Sequence, residues 1–310
     1  MGIFEILAVV VGLMLFEIIS SIDNAVVNAD VLVTMSERAR KWFLFYGILI
    51  AVFLIRGLLP LVIVYFANPS LGLVGSFWAT FSSDPAVKES IEKSTPILLA
   101  GGGVYLVFLF FHWLFLETKE YAFFVEKYVH HKLNFWFYSI VSLILLYIVW
   151  TTIKINPFIA LGAVIGSTAF FITTGFKNNA EAAEKQLVHS KGMSDFAKIL
   201  YLELIDTTFS IDGVLGAFAF TMSVPLIILG NGLGAFVVRY FTIHGLKTIK
   251  KYRYLKNGAM YSILALGAIM LGESYSLHIS SFTAPAITFV VVGIFFWLSV
   301  KELEKEKVLK

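Results

Sequence analysis

"FEIISSIDNAVVNAD" (residues 16–30) begins as an apolar membrane segment and then places Glu17, two serines, Asp23 and Asn24 within eight residues. A second stretch, "IDTTFSIDGVLG" (205–216), repeats it. Against residues 16–27, Glu17 aligns with Asp206, Ser21 with Ser210 and Asp23 with Asp212, and Ser-Ile-Asp is identical. The match resumes downstream. "GILIAVFLIR" (47–56) lies against "GNGLGAFVVR" (230–239), with Gly47/Gly230, Phe53/Phe236 and Arg56/Arg239 in register. Each copy is an acidic helix followed by a helix carrying one arginine. Apolar matches between membrane segments are cheap; matched acids and arginines inside them are not.

The rest of the chain says what surrounds these acids. Of 310 residues, 58% are hydrophobic and 15% charged, against roughly 25% charged in an average soluble domain. Several runs exceed the ~18 apolar residues that mark a bilayer-spanning helix. The expected fold is therefore all-α, a polytopic transmembrane helix bundle, and a soluble enzyme is excluded. The absence of cysteine excludes disulfides, a thiolate metal site and a cysteine nucleophile. The opening "MGIFEILAVV" has no basic stretch and no small-residue cleavage site, so it reads as a first span rather than a removable signal.

Hydropathy places about nine spans: 3–22, 42–66, 96–116, 135–153, 157–175, 199–220, 225–243, 258–272 and 284–300. Alternate loops must share a side. One side then holds 19 Lys and Arg and the other 3. Cytoplasmic loops are enriched in these residues, so the expected placement is the cell membrane, N-terminus outside and C-terminus cytoplasmic. "KELEKEKVLK" reads as an ordinary cytoplasmic tail, not a nucleic-acid arm. The lipid bilayer is the expected partner, and an oligomer is compatible with the sequence.

Helix 6 is the fifth span after helix 1, so the two acidic helices should cross in opposite directions: an inverted internal repeat. The organisation follows: 1–116 as the first repeat, 117–198 as linker helices and cytoplasmic loop, 199–310 as the second repeat with a last helix and tail. Transporters are commonly built this way, with the substrate near the midplane between the repeats.

A carboxylate at the bilayer centre costs at least a few kcal/mol (~2.5–3.5 on insertion scales) unless paired, protonated or bound. Glu17, Asp23, Asn24, Asp206 and Asp212 are the expected cation ligands. Ser21, Ser210, Glu203, Arg56 and Arg239 are the expected supporting or coupling residues. Six residues is about 240° around a helix, so a straight helix aims Glu17 and Asp23 apart, and likewise Asp206 and Asp212. A bend or unwinding at Ser20–Asn24 would bring the first pair together. Oxygen donors without thiols suit magnesium, calcium or manganese. The cation is cargo; no tightly bound cofactor and no enzymatic site is expected.

Other features read more plainly. Glu273 and His278, in "GESYSLHIS", are candidates for an outer gate. "AGGGVYL" (100–106) lacks the Lys-Ser/Thr of a phosphate loop and fits close helix packing. His112 reads as a packing residue, and 176–195 as a cytoplasmic helix.

"FEIISSIDNAVV" and "YLELIDTTFSIDGVLGAFAFT" resemble the two signature segments of the TerC family of integral membrane proteins, and "GAFVVRYF" (234–241) extends the likeness. The resemblance is to a TerC-like subgroup of uncharacterised function. Gly213-Val214-Leu215 stands where that family usually has Ser-Ile-Pro after the last Asp. The resemblance implies a metal cation exporter, with manganese(II) favoured and tellurite resistance as the historical label. A membrane chaperone or resistance-complex scaffold is the competing class. An intramembrane aspartyl protease is disfavoured, because Asp23 and Asp212 follow "SSI" and "FSI" rather than the Gly-x-Gly of that chemistry.

Overall fold

The computed structural model describes residues 2–21, 25, 31–47, 50, 57–67, 69–79, 85–119, 121–122, 124–129, 134–189, 194–244 and 251–308. All regular structure among them is helical. In chain order the α-helices are α1 (Ile3–Ser20), α2 (Glu37–Trp42), α3 (Gly57–Ala67), α4 (Gly72–Ala79), α5 (Pro85–Leu116) and α6 (Asn134–Thr152). They continue as α7 (Pro157–His189), α8 (Asp195–Ala217), α9 (Val224–His244), α10 (Leu255–Ser274) and α11 (Thr283–Val308). A π-helical turn, Phe43–Gly47, extends α2.

Seven of these are long and apolar enough to cross a membrane: α1, α6, α9, α10 and parts of α5, α7 and α11. Nine spans were expected. The sixth exists as α8, whose 23 residues reach about 34 Å; its own acids keep it out of the apolar set. The second is not one described helix, because 48–49 and 51–56 lie outside the described residues.

Helix directions follow from which residues meet. Against α1, Gly12 and Phe16 of α1 face Phe220 and Gly216, so α8 runs antiparallel. Gly230 and Gly234 of α9 face Leu13 and Glu17, so α9 runs parallel to α1. Gly101 and Ile97 pair with Gly166 and Gly162, making α5 and α7 parallel, while Gly102 and Val107 meet Met270 and Gly267, making α10 antiparallel to α5. The two acidic helices thus pass each other in opposite senses, as the repeat requires. Alternation also demands a return crossing between α1 and α5, the stretch that holds α3.

Local chemistry sets the helix starts. Pro157 sits at the first position of α7, where its missing N–H is harmless, and Asn156 Oδ1 accepts the Phe158 N–H at 3.0 Å. Ser36 and Ser194 cap α2 and α8, each accepting the N–H three residues on. Glycine then sets the spacing. A Cβ on Gly166 would collide with the Gly101 carbonyl oxygen, and one on Gly103 would lie 3.0 Å from the Gly267 carbonyl oxygen. The "AGGGVYL" run is therefore a packing device, α5 lying between α7 and α10. Backbones can approach this closely only where side chains are absent, and packing of this kind drives helix association in lipid. Exposed Leu143, Leu146, Tyr147 and Trp150 on α6 form an outward apolar face of the kind lipid covers.

The connection after α5 is tied back to α10. Glu126, almost fully buried, accepts from Asn257 Nδ2 and from Tyr261 Oη at 2.6 Å. Glu117 lies 3.0 Å from Lys256 Nζ and 3.7 Å from His112 Nδ1. His112 also packs edge-on against Phe137 and Phe170. Burial alone would raise the Glu117 pKa. The imidazole and the ammonium outweigh it and hold the carboxyl at about 2.

Two outcomes follow. Gly166→Ala should lower the thermal unfolding midpoint in detergent, since overpacking costs about 1–3 kcal/mol. Gly175→Ala, with open space around it, should leave the midpoint unchanged or raise it. A folded pKa below the unfolded value stabilises above the unfolded pKa, roughly 4.3 for Glu, and that stabilisation fades as pH falls through the folded pKa. Glu117→Gln should therefore unfold at a lower temperature than wild type at neutral pH, with the gap closing as pH approaches about 2.

Candidate functional site: buried charges among four helices

α8 is continuous across its acids, so helical geometry sends them to different neighbours. Glu203 and Asp206 face α9 and the π-helical turn. Arg239 Nη2 donates to Asp206 Oδ2 at 3.0 Å. Its Nη1 and Nη2 donate to Glu203 Oε1 at 3.3 and 3.4 Å, and Nη1 also to the Phe43 carbonyl at 2.9 Å. The guanidinium lies over the Phe43 ring, 4.4 Å from its centroid. All three charged side chains are buried. Gly47 leaves the space: a Cβ there would collide with both Glu203 and Arg239.

Asp212 points the other way, toward α5 and α7. Tyr105 Oη donates to Asp212 Oδ1 at 2.6 Å, and Lys177 Nζ donates to Oδ2. Thr173 Oγ1 lies 2.9 Å from the Tyr105 hydroxyl. Lys177 was expected among the cytoplasmic loop cations. Instead α7 runs unbroken from Pro157 to His189, which carries Thr173 and Lys177 into the bundle one turn apart. The readable signal was the lack of any Gly-Pro break between 176 and 189. Moving this one lysine leaves the charge bias of the loops intact.

Glu17, 1% exposed, accepts from Ser21 Oγ at 2.6 Å. It is wedged between two glycines. A Cβ on Gly213 would lie 2.8 Å from Glu17 Oε2, and one on Gly234 would lie 2.6 Å from its Cβ. Gly213 and Gly234 together make room for Glu17. α1 ends at Ser20, Ser21 has φ −95° and ψ 4°, and the Ala25 N–H donates to the Ser21 carbonyl at 3.0 Å; the rest of the expected bend, residues 22–24, lies outside the described residues. Asp23, Asn24 and Arg56 lie outside the described residues.

The other expectations fare differently. Ser210 Oγ donates to the Asp206 carbonyl at 2.5 Å. Glu273 is half-buried and His278 exposed; the His278 ring lies 3.2 Å from the Ser276 carbonyl, so nothing described joins the two as a gate. Among the described residues no three His, Asp or Glu side chains are close enough to hold a metal ion. Asn231 was not anticipated. It is wholly buried on α9, and neither amide atom has a hydrogen-bond partner among the described residues.

A sequence profile of the family described as "Protein of unknown function (DUF475)" matches residues 22–306, nearly the whole chain. No curated protein and no solved structure matches.

Removing one partner of a buried ion pair leaves the other charge stranded, at about 3–5 kcal/mol. Arg239→Met should therefore lower the detergent unfolding midpoint sharply. Adding Glu203→Gln and Asp206→Asn to it should restore most of the loss, because the stranded charges are gone.

Proposed function

This chain belongs to the family described as proteins of unknown function (DUF475), and we propose that it is a membrane secondary transporter that exports a divalent cation, with manganese(II) favoured. One observation carries the reading. Within a bundle of apolar helices, Glu17 of α1 and Glu203, Asp206 and Asp212 of α8 are buried or nearly so on two oppositely directed helices, with Arg239 on Glu203 and Asp206 and Lys177 on Asp212. Carboxylates in a medium of low dielectric are kept only when paired, protonated or bound to a cation, and a transporter exchanges these states. The donors are oxygens throughout, which suits a hard divalent ion. The likeness of both acidic segments to the TerC signatures supports export and manganese.

In this reading the cation enters between the oppositely directed acidic helices. Glu17 and Asp212 contribute carboxylates, joined by Asp23 and Asn24 of the first motif. Ser21 orients Glu17. Glu203, Asp206 and Arg239 form a fixed charge knot beside the path, tying α8 to α9, and Ser210 supports α8 from within. Arg56 has the corresponding place in the first repeat. Exchange of cargo for protons or for internal cations would couple transport to a gradient. No enzymatic step is involved.

The test is flux in liposomes for manganese, magnesium and calcium at two pH values. Wild type should move at least one of them. Asp212→Asn and Asp23→Asn should each reduce the rate by about tenfold or more, the effect of losing ~1.4 kcal/mol of binding. Full transport by both variants would refute the site. No flux of any ion, with a partner protein co-purifying, would favour the scaffold reading instead.

A further inference from the structure

Asp212 already has a cation of its own. Lys177 comes from α7, one of the helices between the two repeats, so the internal duplication supplies no counterpart for it. A helix from outside the matched segments thus places a cation on Asp212.

The geometry around the lysine is specific. Lys177 and Asp212 are largely buried, 12% and 15% exposed. Tyr105 fixes the other carboxylate oxygen at 2.6 Å, and Thr173 braces Tyr105 from the same face of α7 that carries Lys177. Three helices converge on one carboxylate, and only one of its partners is charged. A tyrosine hydroxyl can stay while a metal binds the opposite oxygen. An ammonium cannot, since it would share that oxygen with a divalent ion and repel it. A lysine stem is also long and flexible enough to withdraw without unfolding its helix.

We propose that Lys177 is a tethered competitor for the cargo: its ammonium occupies Asp212 when no cation is bound, is displaced when a divalent cation arrives, and returns to expel it. The inference rests on the transporter reading for the identity of the cargo, but it makes a separate claim about binding. What changes is which cation Asp212 holds. A divalent ion then enters as one positive charge withdraws, so the charge at the site rises by less than the ion's own on loading.

The deciding experiment measures manganese binding to the full chain in detergent and manganese flux in liposomes, for wild type, Lys177→Gln and Lys177→Arg. Lys177→Gln should bind manganese about tenfold more tightly, a change of ~1.4 kcal/mol, while its maximal flux falls about tenfold. Lys177→Arg, which keeps the charge, should bind close to wild type. A merely structural lysine would give weaker binding in both variants, with KM rising and maximal rate falling together, and that result overturns the inference. Unchanged binding in Lys177→Gln overturns it while leaving transport standing. Tighter binding in Lys177→Gln, in a chain that moves no ion, supports the competitor and removes the transporter reading. No manganese binding by any of the three removes both.

Discussion

An arginine inside an apolar bundle must be surrounded by acceptors, and that requirement organises this molecule. Arg239 gathers Glu203 and Asp206 from α8 and the Phe43 carbonyl from the turn after α2. Residues from three distant parts of the chain are thereby fixed to one guanidinium. A planar fork with five donors can serve several acceptors at once; an ammonium is a point charge. The apolar residues around it then have a defined register. Val31, Leu32, Met35 and Phe43 pack on Ile199 and Leu202 of α8. Ser36 and Lys198 add polar ties at the same end, Ser36 to Asp195 and Lys198 to Thr34. The first half of the chain is thus attached to the acidic helix of the second.

The reverse attachment is made by glycine. Gly230 and Gly234 of α9 lie against Leu13 and Glu17 of α1, while Gly47, the match of Gly230, lies against Glu203 of α8. The π-helical turn of the first half thus rests on α8, as α9 rests on α1. The glycines of α5 extend the logic. Gly101 lets α7 approach, Gly103 lets α10 approach, and Tyr105 follows directly on the same helix, close enough to reach Asp212. Close backbone packing is what allows a tyrosine, a lysine and an aspartate from three helices to share one bond network.

Much of this was legible in the sequence, for physical reasons. Apolar runs must be helical in lipid, because every backbone group needs an internal partner, so the helical class followed from composition. The opposed directions of the acidic helices followed from counting crossings. The packing role of "AGGGVYL" followed from glycine having no side chain. The partners of the acids were harder to read. Sequence spacing tells which residues share a face of one helix, and it correctly separated Asp206 from Asp212. It does not tell which helix stands opposite. Lys177 was misplaced because hydropathy ended its span at residue 175, whereas helix propensity in "NNAEAAEKQ" carries the helix onward. Asn231 gave no signal, since one amide beside two glycines looks like a turn.

These arrangements bear on why a duplicated acidic element would be kept. A perfect two-fold repeat offers two identical carboxylate positions and hence two equivalent cation positions, with mutual repulsion between them. Here the second acidic segment draws partners from outside the matched pair of helices. Asp212 keeps the Ser-Ile-Asp setting of Asp23, yet meets Tyr105 and Lys177 from helices that lie outside or at the edge of the duplicated pair. Glu17, in turn, sits between Gly213 and Gly234, glycines supplied by the second half. Asp212 therefore meets a charge brought by α7, and Glu17 meets space left by glycines of α8 and α9. The acidic helices run opposed, and α7 adds a cation to one of their carboxylates. A carboxylate that already holds a tethered cation is what a site needs if a cargo ion is to have a place to bind and a neighbouring charge to push it out.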